Sequence, residues 1–160
     1  MKQSDRDRVK VRFRLQRDDD GWPPAASEGV WARPCGGREY ELDNVPWFVQ
    51  GVAFGDRVLA EPDDDGVLWM KEHLAWSGRY TIRVIPLGDG AAREQLRSIV
   101  DLFAPLGAEC EGALPAYKLV ALDIPPTGRL DEIKSLLVQG QAEGRWAYEE
   151  GCIDARWRAL

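Results

Sequence analysis

The feature that most constrains this chain is a change of apolar period at Gly88-Asp89-Gly90. Upstream, apolar residues recur every second position; Val9, Val11, Phe13 and Leu15 alternate with Lys10, Arg12, Arg14 and Gln16, as in a half-buried strand. Downstream, Leu96, Ile99, Val100 and Phe103 fall at i, i+3, i+4 and i+7, one face of an amphipathic helix. Both periods in one chain, strands first, predict an α+β protein.

The first half reads as short strands between strong turn signals. Asp18-Asp19-Asp20-Gly21 ends the first strand, and Trp22-Pro23-Pro24 forces an extended or turned path. Val30–Arg33 and Glu39–Leu42 flank Pro34-Cys35-Gly36-Gly37-Arg38, while Arg57–Glu61 and Val67–Leu74 flank Pro62-Asp63-Asp64-Asp65-Gly66. This spacing predicts a small β-meander or barrel-like sheet over residues 1–79.

Residues 80–160 predict a second subdomain. Tyr80–Leu87 is a strand and Arg93–Leu106 a helix ended by Pro105 and Gly107. Ala108 and Cys110 alternate with Glu109 and Glu111 as an edge strand, and the nearly continuous apolar run Lys118–Ile124 is a central one. Pro125-Pro126-Thr127-Gly128 introduces a helix with Leu130, Ile133, Leu136 and Leu137 on its buried side, Thr127 as its N-cap and Asp131 and Glu132 near its positive end. Trp146–Glu149 is the last strand. The order is the split β-α-β-β-α-β unit of ferredoxin-like folds, which places the two most apolar strands at the centre and both helices on one face.

Three stretches carry a family likeness together. They are Val9-Lys10-Val11-Arg12-Phe13, the tract from Trp22-Pro23-Pro24 to Glu28-Gly29-Val30-Trp31-Ala32, and Asp43-Asn44-Val45-Pro46-Trp47-Phe48 leading into Gly51-Val52-Ala53-Phe54-Gly55-Asp56. With Asp65-Gly66-Val67-Leu68-Trp69 and Glu143-Gly144-Arg145-Trp146, the chain resembles a small bacterial family catalogued as a domain of unknown function, DUF4265, from Val9 to Cys152. The resemblance implies one shared architecture and a bacterial source, and it transfers no catalytic residue or ligand. By fold, the second half also resembles small bacterial inhibitor and immunity proteins.

Few residues carry a chemical signature. Glu61, Asp63, Asp65, Gly66 and Glu72 have the spacing of an EF-hand calcium loop, but their flanks read as strands where that motif needs helices. No metal site is expected. Nor do the single histidine, His73, and the widely spaced Cys35, Cys110 and Cys152 form a zinc pattern. Gly88-Asp89-Gly90 lacks the third glycine and the lysine of phosphate loops, so no cofactor is expected. Arg8, Lys10, Arg12 and Arg14 with Phe13 have the make-up of a nucleic-acid strip, but their alternation with apolar residues reads as the solvated face of a strand, or as an edge protected against pairing. Asp5, Asp7 and Asp18 to Asp20 nearby would blunt attraction to phosphate, so neither nucleic acid nor a membrane is an expected partner.

Charge and composition narrow the function classes. With 21 Lys and Arg against 27 Asp and Glu in 160 residues, the net charge of −6 argues against non-specific nucleic-acid binding. The sequence carries no signal-peptide pattern and no membrane-length apolar run, so a reduced cytoplasm is the expected home. The expectation is a non-catalytic protein that binds or inhibits another protein, immunity to a toxin being its most concrete form. Seven tryptophans favour interfaces, and the expected contact residues are Asp63, Asp64, Asp65, Trp76, Arg79 and Tyr80. Two alternatives are a small enzyme using scattered carboxylates or Cys35 with His73, and a regulator of RNA or a ribonuclease.

Overall fold

The computed structural model describes residues 7–110 and 113–160. The chain divides into two compact units, Met1–Ser77 and Gly78–Leu160.

The first unit is a closed barrel of five strands: β1 (Val9–Arg14), β2 (Ser27–Gly36), β3 (Glu39–Leu42), β4 (Arg57–Pro62) and β5 (Leu68–Ala75). Consecutive strands pair antiparallel. Closure comes from a parallel pairing of β1 with β5, in the register Val11–Leu68 and Arg12–Trp69. The period-2 alternation explains the interior: Val11, Phe13, Val30, Ala32, Val58 and Ala60 point inward, with Leu42, Val49 and Val52. Since β1 has a neighbour on each side, its basic face does not guard a sheet edge, contrary to one of the two sequence expectations.

The second unit contains β6 (Tyr80–Pro86), α1 (Ala92–Phe103), β7 (Ala113–Leu114), β8 (Leu119–Ile124), α2 (Leu130–Ala142), β9 (Trp146–Cys152) and the one-turn α3 (Ala155–Arg158). The sheet order is β7-β8-β6-β9 with every pair antiparallel, so the two most apolar strands lie in the middle. Tyr80, Ile82 and Val84 of β6 and Val120, Leu122 and Ile124 of β8 share one sheet face. They pack in a single core with Leu96, Ile99 and Phe103 of α1 and Leu130, Ile133 and Leu137 of α2. Trp157 completes this core: its Nε1–H donates to Glu150 at 2.9 Å, and Asp154 caps its backbone N–H.

Two local expectations are corrected. The stretch around Ala108 and Cys110 makes only an isolated bridge, Glu109 with Asp123, and the edge strand is Ala113–Leu114; Glu111 lies outside the described residues. The N-cap of α2 is Arg129, not Thr127, with no side-chain cap bond. Instead the Arg129 N–H donates to the Leu106 carbonyl at 2.9 Å, so the turn is fixed by backbone pairing with the end of the first helical segment.

The Trp146 ring packs against α2, its Nε1–H donating to the Leu137 carbonyl at 3.0 Å. A Cβ on Gly140 would stand 2.0 Å from that ring. Glycine to alanine inside a helix is ordinarily stabilising by about 1 kcal/mol. Here Gly140→Ala is expected to destabilise the second unit by about 1–3 kcal/mol through overpacking, read by urea denaturation. A variant as stable as the parent or more so would contradict this packing.

Candidate functional site

The long connection from Asp43 to Asp56 has no regular structure, so its backbone groups need partners from elsewhere. Two buried carboxylates supply them. Glu28 points inward from β2 and accepts from three consecutive N–H groups, those of Trp47, Phe48 at 2.8 Å and Val49 at 2.9 Å. Asp56, 0% exposed, accepts from Ala53 N–H at 3.0 Å and Ser77 N–H at 2.9 Å. At the entry of the segment, Asp43 meets Arg8 at 2.9 Å and Arg33 at 3.1 Å, and the Asn44 side chain accepts from Trp31 N–H. Neither Glu28 nor Asp56 is marked by sequence pattern, because a single acid in a strand or turn looks like a solvated one.

Asp56 also faces His73 Nε2 at 2.8 Å, the arrangement closest to acid–base machinery. An Asp–His pair serves nucleophilic catalysis when the second ring nitrogen takes a proton from a hydroxyl or thiol. The neighbouring hydroxyl, Ser77 Oγ, instead donates to the Phe54 carbonyl at 2.6 Å. Cys35 sits in the β2–β3 hairpin with its thiol toward the Arg33 carbonyl. The pair therefore ties the end of β5 to the Asp43–Asp56 segment. Among the described residues, no group of three or more His, Cys, Asp or Glu is disposed to hold a metal ion.

The two Asp triplets fold into the same turn. Asp18 and Asp63 each accept, through Oδ1, from the N–H groups two and four residues later, and each backbone closes across a glycine at φ +80°. Asp63 Oδ2 additionally accepts from Trp69 Nε1 at 2.9 Å. The indole N–H first, and then the backbone N–H of Val67, hold the Asp63 carboxyl below the ordinary carboxylate value. The residues with EF-hand spacing thus run from the end of β4 through the turn into β5, with both Asp63 oxygens accepting from N–H donors. Asp64 and Asp65 are exposed.

The other expected contact residues fare differently. Trp76, 39% exposed, closes the first unit. In the second unit Arg79 forks onto Asp123, at 2.6 Å through Nη2, and reaches Glu109 at 3.0 Å. Burial pushes the Asp123 carboxyl up despite that pairing, and the bond to Asp123 raises Arg79. Tyr80 is 1% exposed and stacks on Trp157 with centroids 5.6 Å apart, so it is a core residue and not a contact residue. Burial, then its bond to Asp154, pushes its phenol up.

A surface feature missed by the sequence lies on the outer face of the barrel. Lys10 is directly across from Trp31 and stands over its ring at 5.0 Å, while Arg14 lies over Trp69 at 4.3 Å. Arg12, between them, is in register with both Gly29 and Trp69 and donates to Ser27 Oγ at 3.0 Å. The basic alternation of β1 was readable, but not the tryptophans beside it, which belong to β2 and β5.

Two measurements check these assignments. Asp56→Ala should cost about 3 kcal/mol by orphaning buried N–H donors, whereas His73→Ala, which removes an exposed partner, should cost under about 1 kcal/mol; equal losses would contradict the anchoring role of Asp56. In an NMR titration Asp63 should protonate below the ordinary aspartate value, and Trp69→Phe should move it upward. Because the folded value is depressed, the stabilisation is complete above the unfolded value and fades as pH falls through the folded one.

Comparison with known proteins agrees with this fold. No curated protein matches the chain. A solved structure described as a novel crystal structure of a hypothetical protein from Neisseria gonorrhoeae superposes with a TM-score of 0.71 at 17% identity, covering 91% of this chain and 94% of that one. At that identity the likeness shows the fold alone. The family model described as Domain of unknown function (DUF4265) matches residues 28–148, including Glu28 and Asp56, and the chain belongs to that family.

Proposed function

We propose that this protein works by stoichiometric binding to another protein rather than by catalysis, with inhibition of an enzyme or toxin as its concrete form. The observation that carries this is the commitment of its reactive groups. Asp56 is closed by backbone donors and His73, the Ser77 hydroxyl is spent on a carbonyl, and Glu28 holds three amides. Among the groups exposed on the same unit are Asp64 and Asp65 on the Asp63 turn and Trp76, 39% exposed. Exposed aromatics serve as anchors in interfaces, and acidic turns steer a basic partner.

The order β7-β8-β6-β9, with a helix in each crossover, supports a ferredoxin-like assignment for the second unit. That fold hosts many functions, so it adds no weight to any one of them. Three cysteines outside any disulfide favour a reducing compartment such as the cytoplasm, and among the described residues no helix is long and apolar enough to cross a membrane.

The test compares two sets of variants in the native host. His73→Ala with Cys35→Ala should leave the cellular phenotype intact. Asp64→Lys with Asp65→Lys should slow association with a basic partner, and the defect should shrink at high salt. Asp63 is kept, because its carboxylate builds the turn. Loss of function in the folded His73 and Cys35 variant would favour the enzymatic alternative.

A further inference from the structure

We propose that the outer face of β2-β1-β5 binds a short stretch of single-stranded nucleic acid. This goes beyond the protein-binding role and stands on a different set of residues. Lys10, Arg12 and Arg14 project from one face of β1, and among the described residues none of the three makes an ion pair. Alternate residues on a strand are about 7 Å apart, which lets each cation meet a separate phosphate of an extended chain. Trp31 flanks them on β2 and remains 40% exposed, and Trp69 flanks them on β5. Gly29 has no side chain of its own, and the Lys10 stem lies over it, 3.2 Å from where a Cβ would be, so Lys10 crosses the strip between Trp31 and Arg12.

Cations that track a backbone, interleaved with aromatic rings on which bases stack, are the recognition chemistry of single strands. The Arg14 guanidinium, layered on Trp69, itself offers a plane for a base. An acidic peptide would satisfy the charges and leave both indoles without a role; a duplex would offer phosphates but no free base faces. The strip is also bounded. Asp63 sits at the Trp69 indole edge, and the chain runs from Arg14 into the Asp18–Asp20 turn. The acidic flanks confine the site to about three phosphates, so the salt dependence should be shallow, near a log–log slope of −2.

Fluorescence anisotropy with labelled ten-nucleotide oligo-dT and oligo-U tests this at low salt. At least one should bind with a slope near −2 and perturb the Trp31 and Trp69 indole N–H resonances. Lys10→Glu with Arg14→Glu should weaken binding at least tenfold, and Trp31→Ala at least fivefold at an unchanged salt slope, with folding checked by circular dichroism. Should the charge-reversed protein fail to fold, Lys10→Gln with Arg14→Gln replaces it. No binding to either oligomer, equal binding to a duplex, resonance changes elsewhere, or preference for a glutamate-rich peptide would overturn the proposal. The Asp64 and Asp65 variant should bind oligomers undiminished, which separates this site from the protein-binding role.

Discussion

Two buried carboxylates hold the first unit in its working form. Fourteen residues, 43–56, run between β3 and β4 without a ladder of their own, and an irregular segment is stable only if its amides are paired. Glu28 takes three of them in a row, and Asp56 takes a fourth, that of Ala53, together with the Ser77 N–H just past β5. Bonds from N–H to a carboxylate are about twice as strong as neutral ones, and leaving such donors unpaired is costly. With the segment held, Val49 and Val52 complete the barrel interior.

This anchoring shapes the functional account as well. An aspartate facing a histidine invites a catalytic interpretation, but Asp56 has its oxygens shared with backbone donors and the adjacent Ser77 hydroxyl is turned away. The exposed chemistry lies elsewhere: an acidic turn, an exposed Trp76, and a row of cations paired with indoles. These surfaces are the ground of the two binding proposals. The two charge types occupy different parts of the barrel, so a protein partner and an anionic strand need not compete for the same residues.

Much of the fold was legible in the residues, since a buried face forces a period. The alternation in β1, the apolar runs of β6 and β8 and the i, i+3, i+4 pattern of both helices carry the architecture. Features without a period were not legible. β7 is two residues long, and the α2 entry is fixed by a backbone bond to Leu106 instead of by Thr127. Tyr80 looked like part of a turn-side patch, yet as the first residue of β6 it points into the core. The tryptophan strip depends on β1 pairing parallel with β5, a long-range register that no local pattern encodes.

The anchoring of the 43–56 segment is tested most directly by native-state hydrogen exchange at Trp47, Phe48 and Val49. Paired to Glu28, these amides should exchange orders of magnitude more slowly than exposed loop amides, although they lie outside any helix or strand. In Glu28→Gln, their protection should fall while that of β1 and β2 is retained. Exchange at exposed-loop rates in the unaltered protein would contradict the account.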